Sequence, residues 1–156
     1  MNSNTFRFIV LFFVLLLMLI CPIANNNLDF DNLKATNLKI YYLNNIQFEN
    51  EKIFKNGIGC YIMPNIDIVQ QYISNTNFDG IEFKTSISES NILQNLNAKI
   101  IKKQSISLNN EEKLIIYAYT DKFSKFVVLE NQKVNVQIVV SNSENIVGLP
   151  LILGSY

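Results

Sequence analysis

Carboxylates are the chain's main means of acid–base chemistry, because histidine, the commonest general base, is absent from all 156 residues. Two close pairs stand out, Glu49/Glu51 and Glu111/Glu112. Such a pair divides acid and base roles when its two environments hold the pKa values apart. Both pairs fall in polar stretches of turn character, where solvated carboxylates are the simpler reading. Without histidine, Ser-His-Asp and Cys-His sites are excluded, as are histidine-containing zinc sites. Outside the N-terminal segment, which carries Cys21, the only thiol is Cys60. One cysteine cannot close an internal disulfide, and no cation adjoins Cys60 in the sequence to lower its pKa. Its setting, Ile58-Gly59-Cys60-Tyr61-Ile62, predicts a buried, unreactive thiol on a strand. No residue is assigned a catalytic, cofactor-binding or metal-binding role, and no cofactor is expected.

Charge argues against a nucleic-acid partner. Arg7 is the only arginine, so 12 lysines stand against 13 acids, and Lys102-Lys103 is the only adjacent basic pair. Duplex binding needs many Lys and Arg contacts to phosphates. Two solvated lysines on a strand account for the pair. Tyr41, Tyr42, Tyr61, Tyr72, Tyr117 and Tyr119 suit an interaction face, since tyrosine is favoured at interfaces. Tyrosine is also an ordinary strand residue, and the sequence leaves both readings open.

The elements that position these residues follow an export-type N-terminus. Arg7 precedes thirteen uncharged residues, Phe8 to Ile20. Three fates fit. The first is cleavage as a secretory signal, with a cut after Pro22-Ile23-Ala24. The second is retention as an anchor: Phe8 to Ala24 spans about 25 Å as a helix, at the short limit for a bilayer. The third is lipidation at Cys21, for which Met18-Leu19-Ile20 lacks the small residue a lipobox wants. In each case Arg7 places the rest of the chain outside the cytoplasm. Residues 1–24 are therefore a signal peptide or membrane anchor, 25–36 a spacer with a short helix allowed over Leu28 to Thr36, and 37–156 one domain.

Within that domain, Leu38 to Phe48 and Ile53 to Met63 are strand-like, with Gly57 and Gly59 at turns or bulges. Pro64-Asn65 opens a helix with Ile66, Val69, Tyr72 and Ile73 on one face. Ile81 to Ile87 alternates as a half-buried strand, with Glu82, Lys84 and Ser86 outward. Ser86-Ile87-Ser88-Glu89 matches a capping box, and Ile92, Leu93 and Leu96 face inward on the helix that follows. Ile100 to Leu108, Leu114 to Thr120, Val134 to Val140 and Ile146 to Leu153 are β-like. Asn109-Asn110 suits a hairpin turn, Asn142 to Asn145 a polar turn, and Phe123 to Leu129 a strand or a connection. In the strand from Val134 to Val140, Val134, Val136, Ile138 and Val140 share the core face; Lys133, Asn135 and Gln137 share the solvent face. The predicted order is β-β-α-β-α-β-β-β-β, an α+β fold: a mostly antiparallel sheet with two or three short helices on one face.

Three motifs near the C-terminus carry a family resemblance. They are Ile116-Tyr117-Ala118-Tyr119-Thr120, Lys133-Val134-Asn135-Val136-Gln137-Ile138, and Gly148-Leu149-Pro150-Leu151-Ile152 ahead of the terminal Tyr156. Over residues 114–152 the chain resembles the YwmB-like family; Asn32-Leu33-Lys34-Ala35-Thr36 matches an early helix of it more faintly. Leu149 stands where that family carries threonine, and the first half is shorter. The resemblance implies an exported protein of the Gram-positive cell envelope with a TATA-box-binding-protein-like fold. It carries over no catalytic residue, and fold alone does not convey function.

The expected role is therefore extracytoplasmic and non-catalytic, a binding or scaffold domain whose partner is another cell-envelope protein, with the membrane reached through residues 8–24 if they are retained. The alternatives are a small hydrolase-type enzyme using carboxylates, or a module binding an apolar ligand.

Overall fold

Apolar residues at every second position build this fold. The computed structural model describes residues 28–44, 52–55, 59–108 and 111–153. In chain order the elements are β1 (Thr36–Tyr42), β2 (Phe54–Lys55), β3 (Cys60–Ile62), a 3-10 turn (Ile66–Ile68), α1 (Val69–Asn75), β4 (Gly80–Thr85), α2 (Glu89–Asn95), β5 (Lys99–Leu108), β6 (Glu111–Tyr119), β7 (Val127–Leu129), β8 (Gln132–Val134), β9 (Val136–Val140) and β10 (Asn145–Leu149). Eight strands form one antiparallel sheet in the order β2-β3-β1-β4-β10-β9-β6-β5, and β7 pairs with β8 as a separate hairpin. Expected and observed element orders agree apart from short strands that the sequence reading merged.

One face of the sheet carries the core. Leu38, Ile40 and Tyr42 of β1 meet Ile62, Ile81, Phe83, Val147, Leu149, Ile138 and Ile116 in a single buried cluster. Val69 and Ile73 of α1, with Ile92 of α2 and Leu96 at its C-cap, belong to the same cluster, so both helices lie on this face. Phe30 meets Phe83 edge-on at 5.7 Å, and Phe78 lies 6.0 Å from Phe123. Cys60 is buried here as expected, its Sγ 3.7 Å from the Asn44 carbonyl.

Three local expectations are corrected. Leu28 to Thr36 is not a helix. Residues 30–34 make an isolated turn, with Leu33 N donating to Asp29 O at 3.2 Å and Ala35 N to Phe30 O at 3.0 Å. Lys34 then adopts a positive φ of 47°, which ends any helical path. Burying Leu28, Phe30 and Leu33 against the sheet holds the turn in place. The cap of α2 is Ser88 and not Ser86: the Ser88 hydroxyl accepts from Asn91 N at 3.3 Å. Ser86 lies before the cap, just past Thr85, whose hydroxyl donates to Leu33 O at 2.6 Å. The third correction is β4, which is buried on both faces rather than one, with Glu82 only 6% exposed.

Several expectations fall outside the described residues: the N-terminal segment, the end of the first strand region beyond Asn44, Gly57, the pair Glu49/Glu51 and the turn Asn109-Asn110. No helix among the described residues is long and apolar enough to cross a membrane.

Candidate binding surface

The second face of the sheet is built from the alternate residues of the same strands. Strand register places Lys39 opposite Glu82, Glu82 opposite Gly148, Gly148 opposite Gln137, Gln137 opposite Tyr117 and Tyr117 opposite Lys102. A single row of polar and aromatic side chains therefore crosses six strands. Sequence alternation marks its members as solvent-facing, yet the middle of the row is buried.

At one end, Lys39 Nζ donates to Glu82 Oε1 at 2.8 Å, and the Tyr41 hydroxyl donates to Oε2 at 3.4 Å. Lys39 Nζ also lies 5.6 Å from the Tyr61 ring, which stacks on Phe54 at 5.2 Å and tilts against Tyr41 at 5.3 Å. Burial, and next the Glu82 carboxylate, pushes the Tyr41 hydroxyl well above the ordinary tyrosine range. A buried carboxylate is tolerated when it is paired and hydrogen-bonded, and Glu82 is both.

In the middle, the C-terminal segment turns back over the sheet. The expected strand from Ile146 to Leu153 ends at Leu149, since Pro150 has no N–H for the ladder. Ile152 N donates to Gln137 Oε1 at 2.9 Å. A Cβ on Gly148 would fall 2.3 Å from Ile152 N and 2.4 Å from the Leu151 carbonyl carbon. Only glycine lets the segment lie this close. Gln137, expected on the solvent face, is 6% exposed because this strap covers it.

The other end is set by Asn135. Val134 to Val140 is not one strand: Val134 pairs with Val127 in the hairpin, and β9 begins at Val136. Asn135 sits between them with no exposed surface. Its Oδ1 accepts from Thr120 N at 2.8 Å; its Nδ2 donates to Thr120 O at 2.7 Å and Phe123 O at 2.6 Å. The break separates Val134 from Val136. Val136 is in the core cluster, whereas Val134 lines a hollow shared with Tyr117 and Gln137 of the second face. The expected common face of the four valine and isoleucine residues therefore holds only for Val136, Ile138 and Val140.

That hollow, about 260 Å³, lies between the sheet, the strap and the hairpin, and is lined by Tyr117, Val127, Val128, Leu129, Val134, Gln137 and Leu151. The hairpin turns at Glu130 and Asn131, both with positive φ (50° and 64°), the pattern of a tight β-hairpin. Glu130 pairs with Lys102 of β5, anchoring the turn over the sheet. The hairpin's free side carries Val128, 65% exposed, and Phe126, 43% exposed, with Lys133 opposite Val128 and its Nζ 4.4 Å from the Phe126 ring.

The six tyrosines divide accordingly. Tyr41, Tyr61, Tyr117 and Tyr119 alternate with core residues onto the second face, while Tyr42 is buried in the core and Tyr72 packs beside it. The Lys102-Lys103 pair is split across the two faces of β5. Glu112, expected in a turn, lies on β6 opposite Ser107 and is exposed beside a hollow with Lys113, Ser141 and Asn142. Asp29, Asp31 and Asp67 border a hollow of about 500 Å³, where Asp29 is occupied in accepting from Asn32 N at 3.0 Å. No group among the described residues could hold a metal ion. Sequence reasoning missed Asn135 and the Gly148 approach; the one available signal was that both sit inside otherwise apolar β-like runs.

No family model, curated protein or solved structure matches this chain.

Proposed function

We propose that this chain is an exported, non-catalytic binding domain of the cell envelope, whose partner is another envelope protein seated on the hairpin and the hollow beneath it. The observation that carries this reading is the exposure of two large apolar side chains on the hairpin. Val128 and Phe126 stand in solvent directly beside a hollow walled by Tyr117, Leu129 and Leu151. Exposed aromatic and aliphatic groups next to a small pocket are the usual anchor arrangement of a protein interface. The hollow's size, about 260 Å³, is below the 300–1,000 Å³ typical of small-molecule sites. It suits one apolar side chain of a partner better than a free ligand. Export rests on Arg7 followed by Phe8 to Ile20.

The YwmB-like kinship and the TATA-box-binding-protein-like form of the fold belong to the same proposal. They are supported by the three C-terminal motifs, which fall on β6, across the β8–β9 junction, and on β10 with its strap.

Two measurements test this. An alkaline phosphatase fusion after Asn45 should be active when exported; a full-length fusion without phosphatase activity overturns the location. A photo-crosslinker at Val128, in intact envelopes, should give a discrete adduct that the same group at Ser90 on α2 does not. Identical adducts from both positions would remove the hairpin as the binding surface.

A further inference from the structure

β5 is ten residues long and forms one border of the sheet, paired only with β6. Among the described residues nothing pairs with its outer edge. Such an edge offers unpaired N–H and C=O groups to any extended chain, and proteins guard it with lysines and bulges. Here the guards occupy one half only. Lys99, Lys102 and Lys103, together with a register shift between Ile100 and Lys102, lie in the first half. The second half, Gln104-Ser105-Ile106-Ser107-Leu108, has no charge, no proline and no register shift.

We propose that β5 is a self-pairing edge, joining two copies of this chain antiparallel over Lys102–Leu108 with Ser105 on the two-fold axis. That register is the one that uses the whole regular stretch beyond the shift. It sets the guarded half of each copy against the unguarded half of the other: Lys102 faces Leu108, Lys103 faces Ser107, and Gln104 faces Ile106. No lysine faces a lysine, so the guards do not oppose the pairing. Parity holds as well, because directly opposed residues in an antiparallel pair share a face.

Charge complementarity supports this partner. Ser107 pairs with Glu112 across β5 and β6 of one copy. In the joined sheet Lys103 of the second copy comes next in that row, beyond the small Ser107 side chain. Lys103 and Glu112 are both exposed, and neighbouring strands lie about 4.8 Å apart, so the two long side chains meet over Ser107. Two-fold symmetry makes this contact twice, as an isologous interface requires. Within one copy Lys103 and Ser107 are separated by about 13 Å along the strand, so the pairing exists only between copies. The inference goes beyond the binding surface on the hairpin and stands whether or not that surface is occupied.

The test uses the full chain in detergent with Cys21→Ser, leaving buried Cys60 as the remaining thiol. Sedimentation should show a dimer. Lys103→Glu and Glu112→Lys should each weaken association about tenfold, by placing like charges together twice. The double variant should restore it. Ser105→Cys should form a disulfide-linked dimer on mild oxidation, and Ser90→Cys should not. A monomer at all concentrations, or association indifferent to the charge swap, overturns the proposal. So does crosslinking of Ser105→Cys no faster than Ser90→Cys. Capture of an acidic extended peptide by a monomeric chain would assign the edge to a different protein and equally overturn it.

Discussion

The side chain of Asn135 pairs with both backbone groups of Thr120, accepting from its N–H at 2.8 Å and donating to its carbonyl at 2.7 Å. It takes the place of a strand neighbour where the ladder between β6 and β9 has ended. A third bond, to Phe123 O at 2.6 Å, holds the loop that leads to the hairpin. One buried amide thus fixes where the main sheet stops and the hairpin leaves it.

Asn135→Ala leaves a buried donor and two buried carbonyls without these partners. Each unsatisfied group costs about 1–3 kcal/mol, so the loss should reach about 3 kcal/mol or more. Urea unfolding should show a markedly lower midpoint. Asn135→Asp should also destabilise, because a carboxylate would face the Thr120 and Phe123 carbonyls. Midpoints within experimental error of the parent would mean that the amide does not hold the junction.

Gly148→Ala should force the strap away from the sheet, since the new Cβ would meet backbone atoms of Leu151 and Ile152 as well as the Ile152 side chain. The expected cost is about 1–3 kcal/mol, typical of overpacking. The readout specific to the strap is limited proteolysis near Leu151 to Leu153, which should accelerate. Unchanged cleavage there, with unchanged stability, would show that the approach can relax locally.

At neighbouring positions of β9, Val136→Asp and Gln137→Asp should both destabilise. Val136 is enclosed in the core, and an unpaired charge there should abolish cooperative melting. Gln137→Asp shortens the side chain and buries a charge under the strap, costing about 2 kcal/mol or more. Gln132→Asp, on the exposed part of the hairpin, should stay within about 0.5 kcal/mol. A melting temperature for Gln137→Asp equal to that of Gln132→Asp would return Gln137 to solvent.

Lys39→Met removes the ammonium from a carboxylate that is almost wholly buried. Breaking such a pair costs more than replacing it, so the double variant Lys39→Met/Glu82→Gln should be more stable than Lys39→Met alone. Thermal melts of the four members of the cycle give the coupling. A double variant no better than the single would place Glu82 in contact with water.

Tyr41 gives an alkaline signature. Its folded pKa is raised, by burial first and then by Glu82, so the unfolded chain releases this proton before the folded one does. The stability it contributes is complete below about pH 10, the ordinary tyrosine value, and declines as pH rises above it. Between pH 9 and pH 11 the loss from this residue should be about 1 kcal/mol. Tyr41→Phe should fall less steeply over that interval, whatever its stability at pH 9. Parallel declines would remove the burial of the hydroxyl as the cause.

The sequence alone determined the alternation that makes Ile81, Phe83 and Thr85 one face of β4, and the helical spacing that turns Ile92 and Leu96 inward. These are local properties: period two and period 3.6 are set by backbone geometry, and apolar residues at those periods have one place to go. It likewise determined the near balance of charge and the lack of histidine chemistry. Only the tertiary structure decided which polar residues are buried. Glu82, Asn135 and Gln137 all occupy positions that alternation assigns to solvent. Each is covered or paired by something distant in the chain: Lys39 and Tyr41 for Glu82, Thr120 and Phe123 for Asn135, Ile152 for Gln137. A side chain's own neighbours in sequence carry no information about a partner that the sheet brings to it. For the same reason the meeting of β4 with β10, which puts Glu82 beside Gly148 and opens room for the strap, exists only once the chain has folded.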